Sequence, residues 1–257
     1  MADTLKRFSN RVDNYIKYRP GYPPEMLAFI IKEKMLKADS VIADIGSGTG
    51  ISAKQFLANG NTVYGVEPNK EMREAAEKLL QANPNFISVE GTAEATGLKN
   101  KSVDILIAAQ AFHWFDKELF KKEVLRVLKP GGFLFVIWND RLIDQTEFLM
   151  EYESLLHTFS VDYEVANHRN ISAKDIRNYF FSFMDARSYK ETKFKNFQDF
   201  DFEGLMGRLL SSSYAPTEEH ADFKEMIKEL NRIYGMYNKE SLVRFEYDTL
   251  FYSGQIK

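Results

Sequence analysis

The chain has 257 residues, 44% hydrophobic and 28% charged, with a net charge of −3 and no cysteine. That length can bury a large core, and that charge sets up no strong field for nucleic acid or an anionic membrane, so neither is expected as a partner. Without cysteine there are no disulfides or thiolate metal sites, which fits a reducing cytoplasm; no run reaches the ~20 apolar residues that span a bilayer, and the first residues lack the apolar core of a signal peptide.

Residues 8–23 begin as a short helix and end in Tyr18-Arg-Pro-Gly-Tyr-Pro23, a turn that forces extended backbone. Two roles are open to this arm: packing over a sheet edge, or forming a lid whose Tyr15, Tyr18, Arg19 and Tyr22 close over a ligand. Pro24 and Glu25 then open a helix with Leu27, Ile30, Ile31 and Met35 on one face. Val41-Ile-Ala-Asp-Ile45 is a run of β-formers that stops at Gly46-Ser-Gly-Thr-Gly50, and a helical pattern over 51–59 follows. Strand, glycine turn and helix make the first βα unit of a parallel sheet. The glycines allow a tight turn and let a ligand approach with no Cβ in the way.

Their spacing, Gly46-x-Gly48-x-Gly50, is not the G-x-G-x-x-G of dinucleotide sites. Asp44, just before the turn, would repel a pyrophosphate and attract a cation. S-adenosyl-L-methionine carries a sulfonium and an α-ammonium and no phosphate, so the loop favours it over NAD. The N–H groups opening the next helix suit a carboxylate, such as the methionine end of that cofactor. A second strand, 62–67, closes on Glu67 and Pro68, about 20 positions after the glycine turn, the separation at which an acid grips a ribose. Glu67 also stands where it could cap the helix expected over 69–81.

A third strand (86–90) leads into Gly91-Thr-Ala-Glu94, and a fourth (103–110) ends in Gln110-Ala-Phe-His-Trp-Phe-Asp116. Open parallel sheets bind ligands at the carboxyl ends of their strands, which puts this turn beside the glycine loop. There His113, with an unperturbed pKa of about 6.5, is a candidate general base, and Trp114 can stack on adenine or wall the substrate pocket. Asp116 is the expected N-cap of a helix over 117–128, which Lys129-Pro-Gly-Gly132 ends with a proline and a left-handed glycine cap. A fifth strand, 133–138, completes the β-α rhythm. It then breaks: helices are expected over 144–159 and 173–183, the second with a Ser172/Asp175 capping box, joined by a polar stretch containing His168 and Arg169. A sixth strand (188–194), helices over 197–210 and 216–237, and an alternating strand from Val243 to Thr249, antiparallel to the sixth, close the chain.

Asp44-Ile-Gly-Ser-Gly-Thr-Gly50 resembles motif I of the class I S-adenosylmethionine-dependent methyltransferases. The arm, Gln110-Ala-Phe-His-Trp and the Ser-Tyr loop ending at Tyr214 resemble segments of the trans-aconitate methyltransferase group, and Leu-Lys-Pro-Gly-Gly is a frequent later motif of the fold. The resemblance implies a cofactor site of Asp44, Gly46, Ser47, Gly48, Gly50, Glu67, Pro68 and Gln110. It implies that Thr92 and Ala93 read the adenine edge, although the family often has Asp where Thr92 stands. Tyr18 and Arg19 would cover the cofactor, Arg19 pairing with its carboxylate, while Tyr15, Trp114 and Tyr214 would face the substrate.

The expected architecture is α/β: a doubly wound, Rossmann-like seven-stranded sheet whose last strand is antiparallel, with a helical substrate-covering insertion. All 257 residues are expected to form one methyltransferase domain, divided into an arm and helix (1–37), a cofactor-binding core (38–138), the insertion (139–184) and C-terminal strands and helices (185–257). The expected activity is methyl transfer from S-adenosylmethionine to a small molecule, small carboxylic acids being what the resemblance implies, with His113 as base if the acceptor must lose a proton. The competing readings are a non-catalytic cofactor-binding protein and an NAD(P)-dependent oxidoreductase, which the missing dinucleotide spacing and Asp44 oppose. Sequence sets no oligomeric state.

Overall fold

The structure is a computed structural model and describes residues 11–163 and 170–256. The first residues of the expected arm, Phe8 to Asn10, and the loop residues His168 and Arg169 lie outside them. Seven strands form one sheet: β1 (Val41–Ile45), β2 (Thr62–Val66), β3 (Phe86–Val89), β4 (Val103–Ala109), β5 (Leu128–Arg141), β6 (Lys190–Phe200) and β7 (Val243–Gln255). Their spatial order is β3-β2-β1-β4-β5-β7-β6. β1 to β5 run parallel, and β7 is antiparallel to both neighbours, from Phe133↔Gln255 to Arg141↔Tyr247 on one side and from Lys190↔Ser253 to Phe200↔Val243 on the other. The order reverses between β1 and β4, so the loops after these two strands open a crevice at the carboxyl edge of the sheet.

Alternation along each strand divides the core. Ile105, Ile107, Phe135 and Ile137 face helices α2 (Pro24–Lys32) and α3 (Ala53–Ala58), and α4 (Lys70–Leu80) adds Leu80 to that layer. Leu106, Ala108, Leu134, Val136 and Trp138 face α5 (Lys117–Val127) and α7 (Ala173–Phe181) on the other side. Side chains start several of these helices: Asn69 accepts from Met72 N–H, Asp116 from Glu118 and Leu119 N–H, and Ser172 and Asp175 form the expected reciprocal box.

A third cluster lies beyond the sheet, built by α1 (Val12–Tyr18), α6 (Glu147–Phe159), α8 (Phe202–Leu210) and α9 (Phe223–Tyr237) on Phe200 and the first half of β7, through Val243, Phe245 and Tyr247. β7 thus serves two cores on one face, because Phe251 further along packs with α2 and α3. The arm docks on α8. Arg11 donates to the carbonyls of Leu210 and, beyond the helix, Ala215, and Arg19 to that of Ser211, so that Leu210 and Ser211, acceptors the helix end leaves free, are satisfied.

Several expectations need correction. The sixth strand continues to Phe200, so α8 begins at Phe202 with Asp201 as its cap rather than at Phe197. β7 runs on past Thr249 to Gln255, its last residues being buried on both faces and showing no alternation, and β6 forms the sheet edge. α5 ends at Val127 in an extended Leu128; the left-handed glycine, Gly131 with φ +75°, sits beyond it, within β5. Helix α9 starts at Phe223, not Pro216. The helices of the 139–184 segment part company: α6 joins the outer cluster, while Ile176 and Phe180 of α7 pack on the sheet.

No helix among the described residues is long and apolar enough to cross a membrane. The arm–α8 contact depends on one missing side chain: a Cβ on Gly207 would lie 2.0 Å from the Tyr18 ring. Gly207→Ala is therefore expected to lower stability by about 1–3 kcal/mol through overpacking. In denaturant melts, adding Tyr18→Ala should remove most of that cost; simple additivity of the two changes would refute the contact.

Candidate functional site

The loop after β1 is held from two sides. Gly46 N–H and Ser47 N–H donate to the Val66 carbonyl of β2, at 2.8 and 3.2 Å. Gly48 N–H donates to one Glu67 carboxylate oxygen at 2.8 Å, while the other accepts from Asn69 N–H at 2.8 Å. Glu67 therefore both fixes the loop and supports the start of α4, and its carboxylate keeps capacity for two more hydrogen bonds. Burial raises its pKa, and the N–H groups of Asn69 and Gly48 oppose that rise. Gly46 and Gly48 have φ of +66° and +55°, a conformation that favours glycine, and the space a Cβ on Gly48 would enter is open.

Two cavities meet at this loop. The first, of about 220 Å³, is walled by Gly46, Gly48, Glu67 and Pro68 at one end and by Met72, Thr92, Ala93 and Phe115 at the other. The second, of about 140 Å³, is walled by Ser47, Ser52, His113, Asn139, Tyr163 and Tyr214, together with Arg19, Pro20 and Tyr22 of the arm. Tyr15, Gly46, Ala109, Gln110 and Trp114 line both. Gln110 adopts a left-handed φ of +57° at the end of β4, and its amide donates to the Asn139 carbonyl at 3.2 Å. The arm therefore does both things expected of it: it walls the site, and its Tyr18 and Gly21 carbonyls accept from Gln198 and Asn196 of the edge strand β6.

Most of the expected site residues come together here, and three do not. Tyr18 lines neither cavity: its hydroxyl donates to Glu203 and its ring packs on Gly207. Gly50 lines neither; a Cβ there would lie 2.6 Å from Leu80, so its role is helix packing. Asp44 stands behind the loop, fully buried, one oxygen accepting from Ser52 at 2.5 Å and the other without a partner. It positions the turn instead of walling a cavity. Helix α3 is only six residues long, and Ser52, just before it, gives its hydroxyl proton to Asp44. Thr92 Oγ1 accepts from Ala95 N–H at 3.2 Å and keeps its own O–H to donate.

Sequence reading missed the arginines of the second cavity, Arg141 and Arg208. Arg141 pairs with Glu153, which also accepts from Tyr163. Arg208 is buried and donates to Tyr247 and Ser212. No Asp or Glu among the described residues lines this cavity. Trp138 Nε1–H points at His113 Nδ1 across 3.5 Å, which leaves the proton of a neutral His113 on Nε2.

Comparison with known proteins agrees with this geometry. Residues 43–136 match the family model of a methyltransferase domain. An uncharacterized methyltransferase of Mycobacterium tuberculosis is 37% identical over 139 residues, and the chain spans about half the length of this relative (54% of each). An uncharacterized methyltransferase of Schizosaccharomyces pombe is 29% identical over 232 residues, 88% of this chain and 89% of that one. A solved structure from Anaeromyxobacter dehalogenans has a TM-score of 0.64 at 22% identity, covering 93% of this chain and 98% of its own, a likeness of fold. Over residues 43–136 the chain is thus similar to a methyltransferase domain, a kind of domain whose cofactor is S-adenosylmethionine. The first cavity fits it: Glu67 is fixed with acceptor capacity to spare at the wall, and Gly48 leaves free the space a side chain would fill.

Burial pushes the Asp44 carboxyl up to about 7, against the opposing Ser52 hydrogen bond. A folded pKa above the unfolded value of about 3.9 means this group favours the folded state most at low pH, and that benefit is lost as pH rises towards 7. Relative to wild type, Asp44→Asn should gain about 2 kcal/mol of stability between about pH 5 and about pH 8 without ligand. Denaturant titrations at the two pH values measure this; an unchanged difference would contradict the buried, ionising Asp44.

Proposed function

We propose that the protein transfers the methyl group of S-adenosylmethionine to a small carboxylic acid. The observation that carries this reading is the meeting of two chambers of opposite character at Tyr15, Gly46, Gln110 and Trp114. One holds a fixed carboxylate and an apolar slot, suited to a ribose and an adenine. The other is walled by arginines, a histidine and tyrosines with no acid among its described residues, suited to an anion. When bound, the cofactor supplies an already electrophilic sulfonium methyl.

The chain has to orient the partners and exclude water. Glu67 would accept from the ribose hydroxyls, Met72, Ala93 and Phe115 would enclose the base, and Arg19 would face the amino-acid carboxylate. Tyr15 lines both chambers, and the arm that carries it is docked on α8. A carboxylate acceptor is ionised near neutral pH and needs no base. His113, with the Trp138 indole N–H against Nδ1, then serves as an Nε2–H donor to an acceptor oxygen.

Incubation with methyl-labelled S-adenosylmethionine and a panel of carboxylic acids and phenols tests the reading. Base-labile ester products are expected, with His113→Ala retaining kcat within about tenfold, since loss of a general base costs more than that. Turnover of phenols that collapses in His113→Ala would overturn the acceptor class. Cofactor binding without product across the panel would support a non-catalytic protein instead.

A further inference from the structure

Glu67 is held by its backbone as well as by its carboxylate. Its N–H donates to the Val89 carbonyl of β3 at 3.0 Å, just past the end of β2. Its own carbonyl accepts from Arg73 Nη1 at 3.1 Å. The other arm of the same guanidinium, Nη2, donates to a Glu90 carboxylate oxygen at 3.0 Å. Glu90 directly follows β3 and precedes Gly91, Thr92 and Ala93, the last two of which wall the far end of the first cavity from Glu67. One arginine therefore touches the residue at each end of that cavity's back wall.

Arg73 itself lines neither cavity. It leaves α4 one turn after the Asn69 cap, close to the helix N-terminus, the end at which the helix dipole disfavours a cation. The helix thus gains nothing from a positive charge there. The Arg73 side chain is only 14% exposed, against 77% for Glu90, and an ion pair with so exposed a partner is worth little alone. What sets Arg73 apart is a planar fork that spans two strand ends. The loop beyond Glu90 is closely packed, since a Cβ on Gly91 would lie 2.7 Å from the Thr96 carbonyl oxygen. Burial raises the Glu67 carboxyl, and the Arg73 charge joins the Asn69 and Gly48 N–H groups in opposing that rise.

We propose that Arg73 is a positioning residue of the cofactor cavity: it ties the ends of β2 and β3 together and so sets the spacing between Glu67 and the wall at Thr92 and Ala93. This rests on the reading above, in which Glu67 accepts from the ribose hydroxyls and the far end encloses the base. A nucleoside carries sugar and base at a nearly fixed separation. It binds with full affinity only where both walls already stand at that spacing, because ordering them on binding costs affinity. Without Arg73 the Glu67 carbonyl loses its partner, and the ends of β2 and β3 keep one tie fewer. The ribose contact suffers first, since hydrogen bonds weaken steeply with misalignment.

Calorimetric titration of the full chain with S-adenosylhomocysteine and with its 2′-deoxyribose analogue tests this. The ratio of the two affinities reads the contact between Glu67 and the ribose; a general loosening of the fold weakens both ligands alike and leaves the ratio in place. The wild type should prefer S-adenosylhomocysteine by about tenfold or more, the scale of a hydrogen bond to a charged group. Arg73→Met should bring that ratio down towards one. Arg73→Lys should lower it less, because an ammonium keeps the charge without the planar fork. In a Glu67→Gln background, Arg73→Met should lower the ratio no further. Variants are compared only if they melt cooperatively, and Arg73→Lys decides should Arg73→Met fail to fold. A ratio equal to that of the wild type in the folded variant, with or without a shared loss of affinity, overturns the proposal and leaves the cofactor reading standing. No binding of S-adenosylhomocysteine by the wild type, or a wild-type ratio near one, overturns the role of Glu67 and the proposal with it.

Discussion

The carboxylate of Glu67 is the constraint on which the site depends. Its two oxygens take the N–H groups of Gly48 and Asn69, so one side chain at the end of β2 holds the turn after β1 and the entry to α4 in a single arrangement. Its buried position makes the charge expensive, and the two N–H groups oppose that cost. Without such a clamp, a turn carrying left-handed glycines at Gly46, Gly48 and Gly50 would be the freest backbone in the molecule. With it, the turn becomes the fixed floor shared by two cavities.

The rest of the architecture brings cover and charge to that floor. The long antiparallel pairing of β7 with β5 and β6 carries the sheet past its parallel core, and Val243, Phe245 and Tyr247 seed a second hydrophobic cluster there. On this cluster sit α8, which delivers Arg208, and the arm, which delivers Tyr15 and Arg19. Arg11 and Arg19 bind the free carbonyls at the end of α8, so cover and helix are tied by the same residues that complete a helix terminus. Catalytic architecture and folding architecture overlap in these contacts.

Much of the parallel core was legible in the sequence because each unit carries its own punctuation: apolar run, glycine turn, capping Asp116 or Ser172. The seven strands with a reversed last strand follow from the same patterning. The C-terminal segment was read less well. Phe194, Phe197 and Phe200 recur every three residues and suggest a helix, but pairing with β7 overrides that local preference. Phe197 then falls on the exposed side, where the Arg244 guanidinium lies 4.3 Å over its ring. At the site, Gly50 and Tyr18, which the resemblance set against the cofactor, line neither cavity and pack against Leu80 and Gly207. Arg141 and Arg208 were invisible because an arginine in a sequence reads as a solvated side chain; only tertiary contact shows that both are buried.

The most direct test of this account is calorimetric binding of S-adenosylhomocysteine to the wild type and to a cooperatively melting Glu67→Ala variant. The account predicts binding by the wild type and a loss of about tenfold or more in the variant, the scale of removing hydrogen bonds to a charged group. No binding by the wild type, or equal binding by both proteins, would contradict it.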